Sequence, residues 1–232
     1  MRTTARAAAI FILAIFLCSR VASAVVIGQQ DDFQNLSTSN WDNGEIIGTT
    51  APMVVPTGGP AGAGDAFLRI TSDGSGSGGK LTVWNREQWL GNYIAAGVTS
   101  IEVDLRNSSA VALTIRLAFK TGPGNAASGF LSLPMNLAVG SGWQHFSISL
   151  DPANLIPVGN PGPWSTFFIG EVRFIHAPGT GSLSGTPVIG QLDLDNIRAV
   201  PEPTAFALLA IGFVAIAGHF LRRKAFARSS RS

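Results

Sequence analysis

Residues 100–119 alternate apolar and polar positions twice over. Ile101, Val103 and Leu105 fall on one side of an extended chain, with Glu102, Asp104 and Arg106 on the other; Val111, Leu113, Ile115, Leu117 and Phe119 repeat the pattern. Successive strand side chains point to opposite faces, so this predicts two half-buried strands, and Asn107–Ala110 between them reads as a hairpin turn. Residues 67–71, 80–84, 130–133, 143–150, 168–176 and 191–198 supply six further strand candidates, divided by Gly-, Ser- and Pro-rich breakers at 73–79, 121–124 and 161–163. Helical turns are expected only at 86–96 and 153–156. Eight or more short strands in about 175 residues, with no internal repeat, predict an all-β fold over 25–199: one antiparallel β-sandwich, jelly-roll-like.

The two ends break this pattern. Arg2 and Arg6 precede an apolar stretch at 7–18 and the small residues Val21, Ala22, Ser23 and Ala24. That order predicts a secretory signal peptide over residues 1–24, cut after Ala24. Its apolar core is shorter than the roughly 20 residues of a spanning helix. Leu17 stands before Cys18 where a lipoprotein signal wants a small residue. At the other end, Pro201, Glu202 and Pro203 are followed by an apolar run at 205–221 and then by Arg222, Arg223 and Lys224. A single hydrophobic helix is expected at 205–221, with a basic cytoplasmic tail at 222–232.

Charge looks different once these ends are set apart. The whole chain carries +2, but residues 25–200 hold thirteen Asp and Glu against eight Lys and Arg, a net −5. No nucleic-acid partner is expected for an acidic domain without a basic stripe. The one cysteine, Cys18, leaves with the leader, so the exported domain has neither disulfide nor thiol chemistry.

The C-terminal order of Val-Pro-Glu-Pro, an apolar segment and Arg-Arg-Lys resembles the PEP-CTERM sorting signal over 200–232. The resemblance implies an exosortase-type membrane protease as partner, an inner-membrane intermediate, cleavage near residues 201–203, and delivery to the cell surface or extracellular matrix. A permanent tail anchor is the alternative. The central domain resembles carbohydrate-binding-module and galactose-binding-like jelly rolls through Asp31-Asp32-Phe33, residues 142–150 and Leu192-Asp-Leu-Asp-Asn-Ile197. It is also similar to the sandwich domains that often precede PEP-CTERM tails, which open with Asp-Asp-Phe followed by a Trp.

That resemblance implies two kinds of site. A structural calcium in such folds joins first and last strands, which makes Asp31, Asp32, Asp193 and Asp195 its oxygen donors here; the alternative is that Asp193 and Asp195 face solvent. Sugar rings stack on exposed aromatics, and Trp84, Trp89 and Tyr93 form the candidate patch, with Trp41 and Trp164 as additions. The alternative packs them under the sheet edges, and Trp143 is assigned to the core. No catalytic residue is expected: Glu102 and Asp104 read as a solvated edge, and His145 and His176 lack a nucleophile or metal-binding motif. The expected role is structural or interactive at the cell surface, with binding of extracellular polysaccharide as the alternative and a hydrolase as a weaker third.

Overall fold

The computed structural model describes residues 24–44, 49–75, 79–123 and 128–201. The leader, apart from its last residue Ala24, lies outside these residues, and so do Glu202, Pro203, the apolar run and Arg222, Arg223 and Lys224.

Thirteen strands are described: β1 (Gln30–Asp31), β2 (Trp41–Asp42), β3 (Thr49–Val55), β4 (Phe67–Asp73), β5 (Thr82–Asn85), β6 (Val98–Asn107), β7 (Leu113–Lys120), β8 (Gly129–Ser132), β9 (Met135–Leu137), β10 (Gln144–Ser149), β11 (Leu155–Val158), β12 (Glu171–His176) and β13 (Ile189–Pro201). They form two antiparallel sheets. Sheet I runs β10-β6-β13-β4-β3, with β1 also on β13; sheet II runs β11-β8-β7-β12-β5-β2, with β9 also on β7. The chain is therefore an antiparallel β-sandwich. Among the described residues the helical structure is two single turns, at Pro152–Asn154 and Trp164–Thr166. The helical turn expected at 86–96 is absent, because Gly91 and Gly97 take positive φ and break it into irregular turns.

Alternation explains the core. Ile101, Val103 and Leu105 of β6 face Leu113, Ile115, Leu117 and Phe119 of β7 across the interior, joined by Leu192 and Leu194 of β13 and Val172 and Phe174 of β12. Prolines sit where a missing N–H is tolerated: Pro52 lies on edge strand β3 at a register shift between Thr50 and Met53, and Pro157 lies on edge strand β11.

A second expectation fails. Residues 107–110 are not a hairpin turn, since β6 belongs to sheet I and β7 to sheet II. The segment crosses between sheets. Asn107 holds the crossing, its buried amide donating to the carbonyls of Val111 (2.8 Å), Leu137 (3.3 Å) and Ala138 (2.9 Å).

Candidate functional site

The predicted aromatic patch is dispersed by the fold. Trp41, Trp89 and Tyr93 are each 1% exposed, and Trp164 is 5% exposed, all within the core cluster. Their positions follow from partners. Asp31 Oδ2 accepts from Trp41 Nε1 at 2.7 Å and Trp89 Nε1 at 2.6 Å, and Tyr93 donates its hydroxyl to the Trp89 carbonyl at 3.0 Å. Trp164 stacks on Phe167 and meets Phe119 and Phe130 edge-on. Buried rings of this kind add packing and offer no face to a sugar. Trp84 lies on the opposite, outer face of sheet II, itself only 6% exposed, with the guanidinium of Arg86 4.6 Å from its ring centroid and that of Arg173 4.8 Å away. The five residues therefore do not form one patch.

The Asp-Asp-Phe opening and the following Trp acquire a structural reason. Asp31 is a buried carboxylate that ties β1 to β2 and to the 86–92 segment through two indoles and the Gln88 amide. Burial raises its pKa, and the bonds from Trp89, Trp41 and Gln88 work against that rise.

The outer face of sheet II holds a closed ion cluster. Glu171, fully buried, accepts from Lys120 (2.9 Å), Arg86 (2.6 Å) and Arg173. Burial pushes its pKa up, but Arg173, Lys120 and Arg86 prevail and the net shift is downward. Leu183, with Ile175, Leu131, Ala118 and Ala177, forms a second apolar cluster beside it.

The outer face of sheet I is the more open one. Trp143, assigned to the core by its sequence, is half-buried on this outer face: it immediately precedes β10 and shares the outward parity of His145 and Ser147, whereas Phe146, Ile148 and Leu150 turn to the core. Its indole donates to the Gly58 carbonyl at 3.0 Å and meets Phe67 edge-on at 5.3 Å. The Arg106 guanidinium lies 4.6 Å from its ring centroid, a cation–π distance. Arg106 and Arg69 both pair with Asp193, at 2.8 and 2.7 Å, and Ser108 donates to the same carboxylate at 2.9 Å. Further along, Asp104 accepts from Asn196 Nδ2 at 2.8 Å and faces His145 Nδ1 at 2.9 Å. This row of Trp143, Arg106, Asp104, His145 and Asn196 is the candidate functional face. Its signal was present in the sequence as polar positions alternating with the β6 core residues.

Calcium was expected to join Asp31, Asp32, Asp193 and Asp195. The structure parts them. Asp31 is committed to indoles and Asp193 to two arginines, whereas Asp32 is exposed and accepts from the Gln34 backbone. Asp195 differs: it is fully buried, and its Oδ2 has no hydrogen-bond partner. Burial first, with Asp65, Asp104 and Asp32 adding negative charge, pushes its pKa to about 7. Among the described residues no three His, Cys, Asp or Glu side chains group closely enough to ligate one ion by themselves.

The fold is an antiparallel β-sandwich of two sheets, and several solved structures similar to it are carbohydrate-binding modules. The chain is similar to part of an exo-β-agarase at 12% identity over 76% of this chain and 25% of that one, with a TM-score of 0.50. It is also similar to a family 11 carbohydrate-binding module of Clostridium thermocellum, solved with a β-1,3-1,4-mixed-linked tetrasaccharide (15% identity, 76% of this chain and 97% of that one, TM-score 0.48). A family 30 carbohydrate-binding module of a cellulosomal cellulase from Clostridium thermocellum is a further neighbour (14%, 77% and 94%, TM-score 0.39). No curated protein matches the chain. Residues 199–224 carry the PEP-CTERM protein-sorting motif. The motif begins within β13, whose last residue is Pro201. A sorting signal of this kind implies exosortase-dependent export.

Proposed function

We propose that this is an exported β-sandwich delivered to the cell surface or extracellular matrix, where it acts through binding and not through catalysis. The observation that carries the reading is the sorting motif at 199–224, which starts where the final strand ends. On this reading the apolar run at 205–221 enters the inner membrane from outside and the basic cluster stays on the cytoplasmic side. Pro201 and Pro203 keep the intervening peptide extended and readable by the protease. The test compares host cells with and without the exosortase. With the enzyme, the chain is shortened at residues 201–203 and becomes surface-accessible; an intact tail in both strains replaces sorting by permanent anchoring.

Extracellular polysaccharide is the second reading for what the domain binds, and the half-buried Trp143 with its polar row on the outer face of sheet I favours it. A ring partly open to solvent, flanked by a guanidinium, a carboxylate and amides, has the chemistry to meet a sugar's apolar face and its hydroxyls. Absence of any polysaccharide-induced change in tryptophan fluorescence overturns this reading while leaving the sorting intact.

We further propose a structural calcium at Asp195 alone of the four carboxylates first expected. A buried carboxylate that accepts from the Asn196 N–H through Oδ1 but has no partner at Oδ2, with Asp32, Asp65 and Asp104 adding negative charge, is offset by a hard cation that completes its shell with backbone carbonyls and water. Calorimetry in millimolar calcium against excess chelator tests it; an unchanged melting temperature removes it.

A further inference from the structure

Both ends of the described domain emerge at one pole of the sandwich. Val25 N donates to the Leu90 carbonyl at 2.8 Å, and Gly28 N and Ala199 O lie 2.9 Å apart in the hydrogen bond that joins the first segment to β13. Pro201 pairs with Val98. The turn before Val98 shares the pole: a Cβ on Gly97 would stand 3.2 Å from Ile27 Cδ1, so Ile27 lies across it. Gly91 and Ile169 exchange two backbone hydrogen bonds at 2.9 Å, which brings residues 165–169 alongside.

This pole is largely apolar, with an exposed carboxylate, Asp151, lining a groove at its edge with Ile94 and Thr99. Val26 (58% exposed), Ile27 (51%), Ile94 (43%) and Phe168 (61%) all stand out into solvent. Segments 24–28, 90–99, 165–169 and 199–201 contain no Asp, Glu, Lys or Arg. The opposite end also exposes Val111, Val139 and Ile189, but there Ile189 pairs with Asp73 and Lys80 bridges to Pro187, so charge interrupts the surface. Four exposed large apolar side chains on segments that carry no Asp, Glu, Lys or Arg of their own mark a contact surface.

Chain length identifies what the surface meets. The apolar run starts at Ala205, four residues beyond Pro201. Four residues span at most about 14 Å when fully extended, and the polar headgroup layer on each side of a bilayer is about 5–7 Å thick. With the run in the bilayer, the pole stands at the headgroup layer and has little freedom to move away. We infer that Val26, Ile27, Ile94 and Phe168 seat this pole on the outer surface of the membrane while the tail is anchored, orienting the sandwich end-on and presenting the 201–203 junction at the interface. The inference rests on the proposed membrane insertion of 205–221.

The full chain bearing Cys18→Ser and one new cysteine, at Ile27, Phe168 or Val139, is labelled with an environment-sensitive fluorophore and reconstituted in phosphatidylethanolamine/phosphatidylglycerol vesicles. Headgroup-nitroxide lipid is expected to quench labels at 27 and 168 at least threefold more than at 139. Equal quenching at all three, with the chain still retained after alkaline carbonate, overturns the seating and spares the insertion. Release by carbonate overturns the insertion and the inference that rests on it. Ile94→Glu with Phe168→Glu changes exposed positions, so the melting curve stays as it was while quenching at 27 falls to the level at 139; unchanged quenching at 27 overturns the proposal. Quenching that follows protein density and not nitroxide content means contact with a second copy, and also overturns it.

Discussion

The outer faces of the two sheets handle buried charge in opposite ways. On sheet II, Glu171 is surrounded by Lys120, Arg173 and Arg86, and the cluster closes over Trp84. On sheet I, β13 presents two carboxylates two residues apart: Asp193 takes two arginines and a serine hydroxyl, while Asp195 has no cation at all and stands opposite Asp104 in the ladder. Like charges directly opposite are destabilising, and the bulge after Asp195 relieves this only partly by bringing the Asn196 amide to Asp104. A fully compensated cluster is architecture. A strand that balances one carboxylate and leaves its neighbour unbalanced has kept a place for something else.

The largest test of this contrast is Glu171→Gln. It strands Lys120 and Arg173 without a carboxylate in a buried site, and breaking such a cluster costs about 3–5 kcal/mol in urea unfolding. Asp195→Asn goes the other way. Its folded pKa of about 7 lies above the unfolded value of 3.8, so the native state holds the proton more tightly; stability is highest below pH 4 and declines as pH rises through 7. In calcium-free buffer with chelator the substitution therefore stabilises by about 2–4 kcal/mol at pH 8 and by almost nothing at pH 4. If the gain is equal at both pH values, Asp195 is not the group that titrates. Asp193→Asn leaves Arg69 and Arg106 with a weaker acceptor, but both are partly solvated, and a loss of about 1–2 kcal/mol is expected. Trp143→Ala is the mildest for the fold, about 1 kcal/mol, because the ring is only half-buried. It is also expected to abolish polysaccharide-induced fluorescence change; retention of that change moves the contact elsewhere.

Period-two alternation was enough to locate β6, β7 and β10, and short apolar runs between Gly-, Ser- and Pro-rich breakers located β4, β5, β8, β12 and β13, of which β5, β8 and β12 are buried on both faces. It could not say which strands pair. The β6 and β7 patterns suit a hairpin and a crossing between facing sheets equally well, since both place Leu105 and Leu113 inside. The strands β1, β2 and β9 have too few residues to show a period, and β3 and β11 are each interrupted by a proline. Aromatic residues misled for a related reason: Trp41, Trp89 and Tyr93 sit among Asn, Gln and Arg in sequence, yet polar neighbours cap the same buried corner, with Gln88 bonded to Asp31 and Asp31 to both indoles. Conversely, Trp143 is out of phase with Phe146, Ile148 and Leu150, and that parity places it on the outer face.

The hydrogen bonds between Gly28 and Ala199, and between Ala199 and Gln29, bring the first and last described strands together. A domain whose ends meet behaves as a cassette: it can be lifted out from between one leader and one tail and set between others with its interior untouched. The same closeness allows the natural ends to be joined by a short linker and the chain reopened in the loop at 138–143. Such a circular permutant should fold to the same sandwich, but with its new ends at the far pole.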